Sequence, residues 1–134
     1  MIADALEELE KTIDEMIELN KSIPVIVEGD RDVAALRRVG VVGKIIVINT
    51  GLSIEVLCET IAREYDEVII LTDWDRKGGM LARRLRELLL ANGTKCNESI
   101  RAKLSFICKR SIKDVESLPQ YIERLREEKR RRKR

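Results

Sequence analysis

The chain has 134 residues, 44% hydrophobic and 37% charged, which suits one domain with a real core and needs no second one. Its 26 lysines and arginines nearly balance 24 acids, but the last six residues, Lys129 to Arg134, are all basic, so the rest carries 20 cations against 24 acids. Three cysteines without CxxC spacing and no histidine exclude a structural zinc site; an acidic opening, MIADALEELEKT, and no apolar run near ~18 residues argue against a signal peptide or membrane span and for a cytoplasmic protein.

Residues 2 to 20 space Ile2, Leu6, Leu9, Ile13, Met16 and Ile17 mostly by four and three, one apolar stripe on a helix. The stripe suits packing, and it also suits a partner or a second copy in a homodimer. IPVIVEG, residues 23 to 29, reads as a buried strand with proline near its start and glycine at its end. Asp30 is expected to cap the helix that follows through Val33, Leu36 and Arg37. KIIVIN, 44 to 49, is a second strand, and TGLS turns it into a helix from Ser53 to Glu64 with Ile54, Leu57 and Ile61 on one face. A third strand, EVIILT, 67 to 72, opens into TDWDRKGG and a helix carrying Leu81, Leu85, Leu88 and Leu89, which stops at ANGT. KLSFICK, 103 to 109, reads as a fourth strand. DVESLPQYIERLREEKRRRKR reads as a closing helix, interrupted at Pro119, that runs into the basic end.

Continuous apolar strands alternating with helices imply an α/β fold. It is expected to be a mostly parallel, four-stranded, Rossmann-like sheet with helices on both faces, plus N- and C-terminal helices. The expected divisions are an N-terminal helix over 1–22, a core domain over 23–110, and a C-terminal helix and basic tail over 111–134. Functional sites of such sheets lie beyond the carboxyl ends of the strands. That rule sorts the acids: Glu28 leaves the first strand, and Asp73 and Asp75 leave the third.

Side chains two apart on an extended segment point the same way, so Asp73 and Asp75 can face one point while Trp74 turns away. Carboxylates gathered at short range repel one another. A hard divalent cation relieves the repulsion, and magnesium takes few carboxylates, keeps several waters and accepts phosphate oxygens. Each acid has an ordinary reading as well: Glu28 as a solvated residue, Asp32 as a helix-dipole partner, Asp75 as an N-cap. Arg76, Lys77, Arg83 and Arg84 either add positive charge beside the acids or make a polar helix face. Gly78 either lets a phosphate approach the backbone or eases a tight turn. Asp114 and Glu116 either reach the same crevice, completing a second metal site, or start the closing helix. Lys129, Arg130, Arg131, Arg132, Lys133 and Arg134 form a solvated run able to touch the phosphates of a nucleic acid.

VEGDRDVAAL followed by LTDWDRKGG resembles the Toprim domain, the catalytic unit of bacterial primases, type IA and type II topoisomerases, OLD-family nucleases and ribosomal-RNA maturation nucleases. The resemblance spans roughly residues 23 to 110. It implies the Toprim fold, with Glu28 as the general acid or base of phosphoryl transfer, also approaching the metal. It further implies Asp73 and Asp75 as ligands of one or two Mg2+ ions, and Asp32 as the acid that closes the first motif. Lys77 and Gly79 stand where the topoisomerase version carries glutamates. Tyr65 and Tyr121 are poorly placed as a topoisomerase nucleophile, and the chain has no room for the other parts of a primase. What remains resembles the small stand-alone, archaeal-type Toprim proteins. That implies nucleic acid as partner and either a magnesium-dependent nuclease or phosphotransferase, or a non-catalytic magnesium-dependent nucleic-acid-binding or assembly module. A signalling receiver or a DxD phosphatase would carry its acidic pair after the first strand, the reverse of the order here.

Overall fold

The computed structural model describes residues 2–133. Arg134 of the expected phosphate-binding run lies outside the described residues, as does the side chain of Ile2. In chain order the elements are α1 (Ile2–Asn20), β1 (Val25–Val27), α2 (Asp30–Arg38), β2 (Ile45–Val47), α3 (Ile54–Glu64), β3 (Glu67–Ile70), α4 (Arg76–Ala91), β4 (Lys95–Asn97), α5 (Ser99–Cys108) and α6 (Leu118–Arg132).

The sheet is parallel throughout, in the order β2-β1-β3-β4. Val25 pairs with Ile45 and Ile69, and Val68 pairs with Cys96. The strand alternation feeds two separate cores. Val25, Val27, Ile69 and Leu71 join Leu36, Ile100, Leu104 and Leu118 on one face, with the stripe of α1 and the inner side of α6. Ile26, Val68 and Ile70 face the other way, onto Leu57 and Ile61 of α3 and Leu85 and Leu89 of α4. Sheets buried on both faces need such continuous apolar strands, because both sets of alternating side chains leave water. Each fully buried leucine or isoleucine contributes roughly 1.5–3 kcal/mol relative to exposure.

Several local readings change. KLSFICK is not a strand: Lys103 to Cys108 lie within α5 and Lys109 is its C-cap, because Ile100, Leu104 and Cys108 recur every fourth residue and are all buried on one helix face. The fourth strand is instead Lys95–Asn97, a polar edge segment held to β3, whose sequence carries no apolar run. Asp30 does not cap α2. Gly29 is the N-cap, and Asp32 reaches back to accept the Gly29 N–H at 3.1 Å. Pro119 does not interrupt the closing helix; it sits in the first turn of α6, where a missing N–H costs nothing. The stripe of α1 is not free for a homodimer, since Leu6, Leu9, Ile13 and Met16 are buried against α5 and α6 of the same chain. For the same reason α1 and α6 share a core with the sheet. No described helix is long and apolar enough to cross a membrane.

Candidate acidic site at the carboxyl edge of the sheet

β2 lies on one side of β1 and β3 on the other, so the chain direction across the sheet reverses between β1 and β3. Crevices open at such points, beyond the carboxyl ends of the two central strands. Glu28 follows β1 and Asp73 follows β3, and the structure joins them: Glu28 Oε2 accepts the Asp73 N–H at 2.8 Å across 45 residues of sequence. The side chain of Asp73 does similar work, its Oδ1 accepting the Val115 N–H at 3.0 Å. Two acids thus tie β1, β3 and the segment before α6 into one turn.

Burial is the main reason the Asp73 carboxyl is pushed up to about 7; the carboxylates of Glu28, Asp32 and Asp114 push the same way, and the Val115 N–H opposes them. Asp32 is buried, and that burial raises its carboxyl too, against the bond from Gly29. These shifts report a crowd of like charges in a partly dry setting. Glu28 is thus joined directly to Asp73, and Asp32 and Asp114 lie near enough for their charge to act on it.

Asp75 stands somewhat apart. It is exposed, and its Oδ1 accepts the Gly78 N–H at 2.7 Å as the N-cap of α4. Asp114 Oδ1 accepts the Ser117 N–H at 2.8 Å, steadying the entry to α6 while its charge still reaches Asp73. Glu116 pairs loosely with Arg31 at 3.8 Å. Arg83 and Arg84 pair with Glu87 and Glu55, as an ordinary helix face does, whereas Arg76 and Lys77 are exposed in the first turn of α4. Gly78 is buried under the turn itself: a Cβ there would lie 1.8 Å from the Asp73 carbonyl oxygen. Thr72 Oγ1 donates to the Gly78 carbonyl at 2.7 Å and closes the same knot. Trp74 does turn away from the acids, as its spacing predicts, into the core beside α6.

One participant was not legible in the sequence. Arg101 of α5 donates from Nε to the Thr72 carbonyl at 3.1 Å and from Nη2 to the Asp73 carbonyl at 2.8 Å. It braces the acid-bearing turn from behind with a fixed positive charge. Its only signal in the sequence is the four-residue spacing of Ile100, Leu104 and Cys108, which points to a helix that carries Arg101 rather than to a strand over 103–109.

Among the described residues, no three His, Cys, Asp or Glu side chains are gathered closely enough to hold a metal ion alone. The donors nevertheless suit a hard dication, being carboxylate oxygens crowded by like charge. Magnesium matches such a set, because it takes few protein ligands and completes its octahedron with water or phosphate oxygen.

A family model described as Toprim domain matches residues 24–107. Curated relatives include a UPF0292 protein of Methanosarcina barkeri, 43% identical, with 90% of this chain and 85% of that protein covered. Another, a UPF0292 protein of Methanocaldococcus jannaschii, is 37% identical, with 87% of this chain and 91% of that protein covered. Among solved structures, a protein from Aquifex aeolicus superposes with a TM-score of 0.69 and 24% identity, covering 80% of this chain and 94% of that one. That last likeness is one of fold.

Proposed function

This chain belongs to the Toprim domain family, and from that premise we propose that it is a magnesium-dependent nuclease or related phosphotransferase acting on nucleic acid. The observation that carries the proposal is the 2.8 Å bond from the Asp73 N–H to Glu28, which brings the acids of two distant motifs to one turn at the switch point of the sheet. Glu28, Asp73 and Asp75 are the residues that would hold Mg2+. When bound, the ion supplies a water of lowered pKa and neutralises phosphate charge.

The chain's own residues divide the remaining tasks. Glu28 commits Oε2 to the Asp73 N–H, so Oε1 is the oxygen left to hold or move a proton as general acid or base. Asp73 commits Oδ1 to Val115, so Oδ2 is its oxygen left for the ion. Asp75, exposed at the start of α4, commits Oδ1 to the Gly78 N–H, so its second oxygen is the one left for the ion. Asp32 fixes the turn after β1, and Arg101 fixes the turn after β3. Arg76 and Lys77 supply exposed positive charge for the phosphates beside the reacting one. We read the protein as cytoplasmic, a reading that its free cysteines support.

Cleavage of labelled RNA and DNA in Mg2+ or Mn2+ tests the proposal. Glu28→Gln retains a carbonyl oxygen to accept the Asp73 N–H, so the fold survives while cleavage falls by roughly 10²–10⁴-fold. A well-folded wild-type protein that takes up neither ion in calorimetry, and cleaves neither polymer, sinks the reading.

One observation favours a non-catalytic module instead: both central acids already brace backbone, as scaffold residues do. In that case polynucleotide binding would persist unchanged in Glu28→Gln, with no cleavage by either protein.

A further inference from the structure

An acid-bearing turn repels the polyanion proposed as its substrate, so a phosphodiester chain needs cations within about a Debye length, ~8–10 Å, of the acids. The basic end of α6 is the obvious source by sequence, but a nearer one exists. The first five residues of the connector between α5 and α6, 109–113, carry Lys109, Arg110 and Lys113, all exposed and with no ion pair to them among the described residues, and the acids of the connector, Asp114 and Glu116, come only after them. This connector is bonded directly to the acid-bearing turn. The Trp74 N–H donates to the Lys113 carbonyl at 2.9 Å and the Trp74 indole Nε1 to the Ile112 carbonyl at 2.7 Å. Two residues on, the Val115 N–H reaches Asp73.

Two further features continue the path. A groove of about 650 Å³ begins at Ile112 and Ser117 and runs along α6 past Tyr121 and Arg124 to Arg131. Glu123, Glu127 and Glu128 also line it, and Arg130 pairs with the first two, so its cations Arg124 and Arg131 stand beside acids that are only partly neutralised. At the other end of the connector, Phe106 is 73% exposed, and the Lys109 ammonium lies 5.2 Å from its ring centre. An exposed aromatic ring beside unpaired cations is the combination on which unpaired bases stack while phosphates are held.

We propose that the 109–113 connector, with Phe106 and the α6 groove, is the docking track that delivers a single-stranded polynucleotide to the acid-bearing turn. The inference rests on the proposed function for what happens at the end of the track, but docking itself needs no cleavage. The three hydrogen bonds at Trp74 and Asp73 tie the track directly to the acid-bearing turn.

The experiment is fluorescence anisotropy on the full-length protein with labelled oligouridylate and oligothymidylate of about a dozen nucleotides, in EDTA so that nothing is cut. The triple variant Lys109→Ala/Arg110→Ala/Lys113→Ala is compared with Arg38→Ala/Arg63→Ala/Lys95→Ala, which removes equal charge from exposed positions off the connector. The connector variant is expected to bind at least about tenfold more weakly, and its salt dependence to flatten by about 2, three phosphates at about 0.7 each. The comparison variant should stay within about twofold, and Phe106→Ala should lose about fivefold or more. Preference for oligouridylate assigns RNA, preference for oligothymidylate assigns DNA, and either supports the track. Equal losses in both triple variants, no loss in the connector variant, or tighter binding of a duplex of the same length overturns it. Cleavage without connector-dependent binding would refute the track and leave the proposed function standing; connector-dependent binding without cleavage would do the opposite.

Discussion

The acid-bearing turn and the basic end of α6 are both dense in charge, yet the protein treats them in opposite ways. At the turn, carboxylates from β1 and β3 are drawn partly out of water and fastened by long-range bonds: Glu28 to Asp73, Asp73 to Val115, Arg101 to Thr72 and Asp73. At the end of α6, Lys129, Arg131 and Arg132 are exposed, and Arg130 is engaged only by Glu123 and Glu127 of its own helix. Water screens the second cluster and cannot fully screen the first. Charge that is costly to assemble and still rigidly held is the better mark of a site.

That contrast can be broken most severely at Gly78. Gly78→Ala puts a methyl 1.8 Å from the Asp73 carbonyl oxygen, and we expect a loss of about 3 kcal/mol or more in urea unfolding. Gly79→Ala, one residue along in the same helix, meets nothing nearer than Arg101 at 3.7 Å and should be neutral or gain up to about 1 kcal/mol from helix propensity. Equal behaviour of the two variants would mean that the turn is not packed as described.

Trp74→Phe comes next. It keeps most of the apolar bulk but leaves the Ile112 carbonyl without its indole donor, and should cost about 1–3 kcal/mol. A variant as stable as wild type would detach the connector from the turn.

A smaller effect appears with pH. In the folded protein the Asp73 carboxyl is pushed up to about 7, chiefly by burial, against about 3.9 for an unfolded chain. Between those values the folded state binds the proton more tightly, so this group favours folding fully below ~4 and loses that contribution as pH rises through ~7. Metal-free wild type should therefore show a melting temperature that falls relative to Asp73→Asn as the buffer goes from about pH 5 to about pH 8. Parallel pH profiles for the two proteins would contradict the burial of Asp73 among acids. Least of all, Arg130→Ala should leave the melting temperature unchanged within error, because both of its ion pairs are exposed; a measurable drop would make the basic end a structural element.

Much of this protein is legible in its residues. The alternation of apolar strands with amphipathic segments identifies β1, β2, β3 and the helices between them, since a strand buried on both faces must be apolar at every position. The motifs around Glu28 and Asp73 identify the family for the same local reason, being turns that follow such strands. β4 was not legible, because Lys95–Asn97 is an edge strand held by backbone pairing to β3, and backbone pairing leaves no imprint on side-chain pattern. The α1 stripe was legible as apolar but silent about its partner.

What sequence alone determined, then, is which segments had to leave water and which acids follow the central strands, because hydrophobic periodicity is a property of neighbouring residues. Only the tertiary structure decided that Asp75 caps α4 while Asp73 joins Glu28, that Arg101 braces their turn, and that the stripe of α1 is covered by α5 and α6. Those outcomes depend on which residues meet across tens of positions in the chain, and distance along the backbone carries no such information until the sheet has set its strand order.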